Sequence, residues 1–299
     1  MIALVDCNNF FASCERAFNP KLKDKPVVIL SSNDGCVISR SSEAKKYIPM
    51  GAPAYQYEEE FNKHGIAVLS ANFTLYADMS NRINKITRQY VADIETYSID
   101  ESFFNLKGIP GDYVERCRAL RKEVLKSTGI PVSIGIAPTK TLAKICNHYA
   151  KDNKDTQGVF LWSHLSNKDE FLKKLPVEHV WNVGYKISKR LNESGIYNTY
   201  QLKTADYTWI RKAFSVNTLR TVTELNEIPC FELENSNGPR RNIMSSQSFG
   251  KSVTTLNELE EAVSTYTTRA WDKLMEQKSA CGYVSVGIRT SYHKDMGFY

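Results

Sequence analysis

Hydrophobic and polar positions in the first part of the chain follow two different periods. An aliphatic run over residues 2–5 predicts a buried strand that ends at Asp6, and apolar positions three to four residues apart predict a helix over residues 8–18. Residues 22–75 then alternate short strand signals with polar turns, which predicts a small lobe inserted after the first helix.

The middle of the chain continues with longer elements. The same patterns predict a helix over 76–90, a strand pair over 94–106, a helix over 113–127, a strand over 131–136 and a helix over 139–151. Strands and helices that return to the N-terminal strand in this way are typical of an α+β core.

The last part of the chain has a different organisation. Short helical patterns fill residues 168–231 and predict a separate helical domain, and residues 232–241 have the composition of an exposed linker. A strand over 245–253, a helix over 256–277 and a strand over 282–290 follow. Because a strand–helix–strand of this size leaves apolar surface uncovered, we expect the C-terminal domain to be incomplete.

Composition narrows the class of protein. The 299 residues are 42% hydrophobic and 24% charged, which is typical of soluble globular proteins with more than one domain. No apolar run approaches the ~20 residues that cross a bilayer. The seven cysteines form no C-x-x-C pair, which argues against a disulfide framework or a zinc site and favours a reducing, cytoplasmic location. The net charge of +6 permits a polyanionic partner.

Two adjacent acids, Asp100 and Glu101, interrupt an otherwise apolar and small-residue stretch over residues 97–104. Burying both without a cation would cost several kcal/mol per ion. Because strand alternation sends neighbouring side chains to opposite faces, a shared metal requires the chain to bend, with Glu101 entering a hairpin turn. The alternative is a pair of exposed acids at a hairpin tip.

A third acid, Asp6, follows the N-terminal buried strand. Three carboxylates and a bound triphosphate could hold two magnesium ions, the arrangement of two-metal phosphoryl transfer. The spacing alone leaves open whether Asp6 meets Asp100.

Several ordered motifs resemble those of the Y-family translesion DNA polymerases, most closely their UmuC-type branch. The resemblance spans essentially the whole chain. It is carried by residues 6–15 (DCNNFFASCE), 33–40 (NDGCVISR), 75–80 (LYADMS), 97–101 (YSIDE), 135–144 (GIAPTKTLAK) and 180–184 (VWNVG).

The resemblance implies an α+β polymerase with palm, fingers and thumb and a partial C-terminal little finger. The implied palm spans residues 1–20 and 76–166, the fingers 21–75, the thumb 167–232, the linker 233–243 and the partial little finger 244–299. Its implied activity is error-prone, DNA-templated DNA synthesis past damaged bases.

The resemblance also assigns the metal and nucleotide sites. Asp6, Asp100 and Glu101 are the implied catalytic ligands of two Mg²⁺ ions, with the Cys7 backbone carbonyl assisting. The implied nucleotide contacts are Phe10, Phe11, Cys36, Ile38, Lys45 and Lys151. Among them Phe11 takes the place of a steric gate against a ribose 2′-hydroxyl; from spacing alone it is a core residue of an amphipathic helix. Ser42, where many relatives carry tyrosine, stays unassigned.

The implied DNA contact in the thumb is a helix–hairpin–helix. Its residues are Asn182, Gly184, Lys186 and Lys189. A helix N-terminus in such a turn points backbone N–H groups at a DNA phosphate. Asn182 stands where glycine is common, and because asparagine tolerates positive φ we expect the turn to survive. An ordinary helix turn is the alternative.

The implied partners are primer–template DNA, deoxynucleoside triphosphates, a UmuD-type accessory dimer, a RecA filament and the sliding clamp, with no membrane. Two alternative functions stay open: a catalytically disabled DNA-binding fragment of such a polymerase, and a palm-type nucleotidyl cyclase.

Overall fold

The computed structural model describes residues 1–234, 240–247, 249 and 252–289. The chain divides into two compact units, Met1–Ser236 and Asn237–Tyr299. The boundary between them falls inside the segment that the sequence predicts as a linker.

The first unit contains two sheets. The strands within the described residues are β1 Ile2–Cys7, β2 Val27–Leu30, β3 Val37–Arg40, β4 Ala67–Ser70, β5 Ile94–Thr96, β6 Glu101–Asn105, β7 Val132–Ala137 and β8 Val159–Leu161. One sheet has the order β5-β6-β1-β7-β8 and the other has the order β3-β2-β4. β1 is antiparallel to both of its neighbours, and β8 runs parallel to β7.

Helices cover both faces of the five-stranded sheet. In the first unit they are α1 Phe10–Phe18, α2 Glu58–Lys63, α3 Phe73–Thr87, α4 Tyr113–Thr128, α5 Lys140–Asp152, α6 Lys168–Lys174, α7 Tyr185–Glu193, α8 Thr199–Lys203, α9 Tyr207–Ala213 and α10 Val216–Leu225. The central strand β1 is buried from its second residue onward because both of its faces are covered.

Strand alternation in β1 determines on which face of the five-stranded sheet Asp6 lies. Ala3, Val5 and Cys7 pack into one core with α3 and α4, whereas Leu4 packs into a second core with α5 and the helices after it. Because side chains two residues apart share a face, Asp6 lies on the same face as Leu4, beneath α5.

Helix α5 lies very close to β7 because Gly135 has no side chain. A Cβ built at Gly135 would stand 2.2 Å from the carbonyl oxygen of Ala143 and 2.2 Å from the backbone nitrogen of Asn147. Both neighbours are backbone atoms of α5, so neither can move without the helix. This approach brings the lysines of α5 over the sheet.

Gly135→Ala is therefore expected to lower the free energy of unfolding by about 3 kcal/mol through overpacking. Urea unfolding followed by circular dichroism measures the change. Gly184→Ala is the matched control, because a Cβ there meets nothing within 4 Å and the expected loss stays below about 1 kcal/mol. Equal losses in the two variants would contradict the close approach.

The second unit contains one long helix among its described residues, α11 Leu256–Glu276. Thr255 caps it in a capping box with Glu258: the Thr255 hydroxyl accepts from the Glu258 N–H, and the Glu258 carboxylate accepts from the Thr255 N–H. The sequence predicts this helix to within one residue of its C-terminal end.

Strands are predicted over 245–253 and 282–290, on either side of α11. Within these two ranges, residues 248, 250–251 and 290 lie outside the described part of the chain, and the other residues form no strand. The prediction was wrong for the rest. Val284, Val286 and Ile288 alternate as a strand would, yet each is more than 60% exposed. Alternation yields a strand only where a neighbouring strand and a covered face complete it.

Candidate active site

The register of the central sheet brings the first acid beside the acidic pair. Asp6 in β1 is the direct Cα partner of Glu101 in β6. One residue further on, the Cys7 N–H donates to the Asp100 carbonyl at 2.9 Å. The end of β1 therefore lies against the acidic pair, although nearly a hundred residues separate them in the chain.

The bend between Asp100 and Glu101 differs from the prediction. Asp100, not Glu101, lies in the turn, and Glu101 is the first residue of β6. The Ser98 hydroxyl holds this turn by accepting from the Asp100 N–H at 3.2 Å and the Glu101 N–H at 3.0 Å, and it donates to Asp100 Oδ1 at 2.6 Å. Because the turn interrupts strand alternation, the two neighbouring acids need not face opposite sides of the sheet.

Asp6 is a buried carboxylate in a negative environment. It is 8% exposed, and burial raises the pKa of its carboxyl to about 7. Lys151 opposes this shift, with its Nζ 2.6 Å from Asp6 Oδ2, while the charges of Glu101 and Asp100 add to it. A group of this kind favours a nearby positive charge.

Glu101 has a lysine partner of its own. Lys144 Nζ donates to both carboxylate oxygens, at 2.8 Å and 3.0 Å. Lys144 is not among the site residues predicted from the sequence, although it ends one of the motifs. Its spacing of seven residues from Lys151 was the available signal, because two turns of helix place both on one face.

Asp6, Cys7, Asp100 and Glu101 together define the region named the cleft of this protein. Its three carboxylates and the Cys7 carbonyl are oxygen ligands of the type that hard divalent ions prefer. In the described part of the chain, no group of three or more His, Cys, Asp and Glu side chains is arranged as it stands to hold a metal ion. Asp6 and Glu101 direct their carboxylates at ammonium groups, so they would have to turn from the lysines to hold an ion. The donor set of these residues fits a divalent ion, because all of its ligand atoms are oxygens.

Phe11 lies in an aromatic group on α1 and α3. Its ring stacks on Tyr76 with centroids 4.4 Å apart at 14°, and Phe73 meets its edge at 5.8 Å. Phe11 is half-buried, whereas Phe10 is 3% exposed and belongs to the core. The side chain of Phe10 is therefore not available to a nucleotide, which leaves only its backbone for the predicted contact.

Lys45 lies on a single 3₁₀ turn, Ala44–Lys46, within electrostatic reach of Asp6. Burial lowers the pKa of Lys45; the charges of Arg40 and Lys151 lower it further, and Asp152 and Asp6 oppose them. The adjoining strand β3 carries Ile38, and Cys36 precedes it; both are half-buried.

The unassigned Ser42 accepts a hydrogen bond from Asn9 Nδ2 at 3.0 Å. Asn9 directly precedes α1, so this bond links the loop before the 3₁₀ turn to the turn after β1.

The four predicted DNA-binding residues lie around the start of α7. Asn182 has φ of 66°, which confirms that asparagine takes the left-handed conformation in this turn, and its side chain donates to Thr221 Oγ1 at 3.2 Å. Gly184 is the N-cap residue of α7, and Lys186 and Lys189 are exposed on that helix.

Trp181 joins this turn to the sheet that carries the acids. Its Nε1 donates to the Tyr97 hydroxyl at 3.0 Å, and Tyr97 lies four residues before Glu101.

Comparison with known proteins identifies the family. Residues 5–148 match the model of the impB/mucB/samB family, and residues 240–298 match the model of its C-terminal domain. UmuC of Salmonella typhimurium strain LT2 is 44% identical over 295 residues, which cover 97% of this chain and 70% of the relative. The chain belongs to the impB/mucB/samB family. SamB of Salmonella typhimurium is similar at 43% identity over 97% of this chain and 70% of its own length.

More distant relatives include DNA polymerase IV 2 of Bacillus subtilis, 31% identical over 73% of this chain and 53% of its own length. Among solved structures, a Y-family DNA polymerase chimera superposes with a TM-score of 0.77 over 91% of this chain and 80% of its own, at 24% identity. DinB of Sulfolobus solfataricus superposes with a TM-score of 0.64 over 79% of this chain and 70% of its own, at 27% identity.

These likenesses confirm the predicted α+β fold of the palm, fingers and thumb type. They also confirm the predicted activity: this member of the impB/mucB/samB family is a DNA-directed DNA polymerase of the translesion class. As a DNA-directed DNA polymerase it acts on DNA and deoxynucleoside triphosphates, and enzymes of this class work with divalent metal ions. Among the described residues, no helix is both long and apolar enough to cross a bilayer.

Proposed function

We propose that Asp6, Asp100 and Glu101, with the Cys7 backbone carbonyl, hold two Mg²⁺ ions for template-directed nucleotidyl transfer. The observation that carries this proposal is the pairing of Asp6 with Glu101 across β1 and β6, with Cys7 bonded to Asp100 beside it. When bound, the two ions would lower the pKa of the attacking primer 3′-hydroxyl and neutralise the leaving pyrophosphate.

Lys45 and Lys151 are proposed to bind the incoming triphosphate. A lysine ammonium is a compact charge suited to a phosphate oxygen. Support comes from the charge of Lys151, which lowers the pKa of Lys45, so the two ammonium groups act within one small region. Lys151 would exchange its Asp6 partner for a phosphate oxygen.

Cys36 and Ile38 are proposed to form a small surface over the nascent base pair, with Phe11 below the sugar. Both roof residues are small or aliphatic and half-buried, so they add little bulk above a distorted base. A roof of this kind would admit damaged templates.

DNA is proposed to bind at Asn182, Gly184, Lys186 and Lys189. The positive φ of Asn182 and the start of α7 at Gly184 support a turn that offers backbone N–H groups to a phosphate, and the two exposed lysines add positive charge. Such contacts grip DNA without reading its sequence.

The domain division is also a proposal: palm 1–20 and 76–166, fingers 21–75, thumb 167–232, linker 233–243 and partial little finger 244–299. Support comes from the five-stranded sheet, whose strands all lie in the proposed palm, and from the three-stranded sheet, which lies within the proposed fingers. Helices α6 to α10 fall in the proposed thumb.

The proposed partners are a UmuD-type accessory dimer, a RecA filament and the sliding clamp, in the cytoplasm. The similarity to UmuC of Salmonella typhimurium over 97% of this chain supports them. The seven free cysteines are consistent with a reducing compartment.

Primer extension on an undamaged template and on one with an abasic site tests the proposed function. We expect template-dependent extension on both with Mg²⁺, and none when EDTA is present or the template is omitted. Conversion of the nucleotide to a cyclic product and pyrophosphate, with no primer extended, would instead support a nucleotidyl cyclase. DNA binding without extension at any Mg²⁺ concentration would support a disabled fragment.

A further inference from the structure

Three lysines of α5 pair with acids from three neighbouring strands. Lys140 pairs with Glu95 of β5 at 2.5 Å, and the pairs Lys144–Glu101 and Lys151–Asp6 involve β6 and β1. The strands lie in the order β5-β6-β1, and the lysines are spaced by four and seven residues, which places all three on one face of the helix. The face of α5 above the sheet is thus a row of cations over a row of carboxylates.

The first pair of this row is buried and has further hydrogen-bond partners on both sides. Lys140 and Glu95 are both buried, Lys140 Nζ also donates to the Glu232 carbonyl at 2.6 Å, and Glu95 also accepts from the Glu234 N–H at 2.8 Å. Breaking a buried pair that has these further hydrogen bonds leaves an uncompensated charge, so the pair has no low-cost alternative.

Lys144 and Glu101 are placed differently. Their side chains are 21% and 17% exposed, so solvent and ions can reach them. Lys144 Nζ also lies 5.0 Å from the centroid of the Tyr97 ring, and the Tyr97 hydroxyl is fixed by the Trp181 N–H. The ring offers the ammonium group a second favourable contact that does not depend on Glu101.

We propose that Lys144 is a positioning residue that serves as the resident counter-ion of Glu101: it holds the carboxylate in the cleft and gives it up when a divalent ion binds. The inference rests on the proposed metal role of Glu101. The two-oxygen contact restricts rotation of the glutamate, and the ring of Tyr97 retains the ammonium group near the cleft after exchange. Lys144 therefore orders Glu101 and competes with the ion at the same time.

Lys144→Met removes both the competition with the ion and the ordering of Glu101, so metal affinity should rise while the rate of turnover should fall. Removing a unit charge about 5 Å from a divalent ion is expected to tighten Mn²⁺ binding to the full chain, without DNA or nucleotide, roughly tenfold. Electron paramagnetic resonance of free Mn²⁺ measures the Kd. The kcat of primer extension is expected to fall about fivefold, because a freely rotating Glu101 must be ordered in each cycle.

Matched variants separate this role from a general structural one. Lys144→Arg keeps the charge and two donors, so it should retain the parent's Kd for Mn²⁺ and its kcat of primer extension. Lys122→Met removes an exposed lysine of α4 and should change neither the Kd nor the kcat. Should Lys144→Met fail to give the melting transition of the parent, Lys144→Gln, which keeps a polar side chain without the charge, replaces it in the same titration.

Glu101→Gln distinguishes the inference from the proposed function. If Glu101→Gln weakens Mn²⁺ binding while Lys144→Met leaves it equal or weaker, the counter-ion role is overturned and the metal role stands. If Glu101→Gln leaves Mn²⁺ binding unchanged, the metal role of Glu101 is overturned and the inference falls with it. Tighter binding together with slower turnover in Lys144→Met supports the role.

Discussion

Asp100→Ala is expected to lower the rate of primer extension by at least about 10³-fold, because it removes one of the carboxylates proposed to hold the ions that stabilise the transferring phosphoryl group. Among the three acids it allows the clearest test. Asp6 and Glu101 each have a lysine partner, so replacing either would leave a cation unpaired in the cleft. The carboxylate of Asp100 instead accepts a hydrogen bond from the Ser98 hydroxyl in a turn.

Steady-state extension with saturating primer–template and nucleotide measures this effect, and fluorescence anisotropy of labelled DNA measures affinity separately. We expect the affinity of Asp100→Ala for DNA to stay within about threefold of the parent, because the proposed DNA contacts lie on α7 and the turn before it. Asp93→Ala, at an exposed aspartate just before β5, is the control and should extend primers normally. An active Asp100→Ala enzyme would remove Asp100 from the site.

Phe11→Ala is expected to lower the discrimination against ribonucleotides about 100-fold. The Phe11 ring is held by stacking on Tyr76 and by the edge contact with Phe73, so it cannot easily move aside for a ribose 2′-hydroxyl. Forcing an extra atom into a filled position costs about 1–3 kcal/mol, and 2.7 kcal/mol corresponds to 100-fold.

The ratio of kcat/KM for a deoxynucleotide and its ribonucleotide measures this discrimination within each variant, so a general loss of activity cancels. Phe11→Tyr keeps the ring and should keep the ratio. Phe18→Ala, at an exposed position of the same helix, controls for changes in α1. An unchanged ratio in Phe11→Ala would show that Phe11 is a packing residue of α1, the alternative that the helical spacing leaves open.

The spacing of apolar residues predicts most helices and strands of the first unit, because the side chains that these elements bury recur at the helical or strand period. Strand β8 was missed, since its three residues are too few to establish an alternation and they become a strand only by pairing with β7. The strands predicted beside α11 fail for the complementary reason: alternation is present in the described residues, and a paired neighbour is not.

In the candidate site, too, the sequence predicts some features and leaves others undetermined. The three acids were visible in the sequence as candidate ligands, but the spacing left open whether the adjacent pair is exposed at a hairpin tip and whether Asp6 meets it. The lysine partners were not visible, because a lysine on a helix face is ordinarily solvated and only the position of α5 over the sheet turns Lys144 and Lys151 towards carboxylates.

The amino-acid sequence by itself determined the family and the class of reaction, and it predicts the three acids, because these depend on local motifs and residue types. Only the tertiary structure decided that Asp6 stands opposite Glu101, that Asp100 lies in the turn, and that two lysines of α5 already neutralise two of the acids. The physical reason is that strand register and the packing of a helix on a sheet are set by burial across the whole core. No short stretch of the chain contains that information.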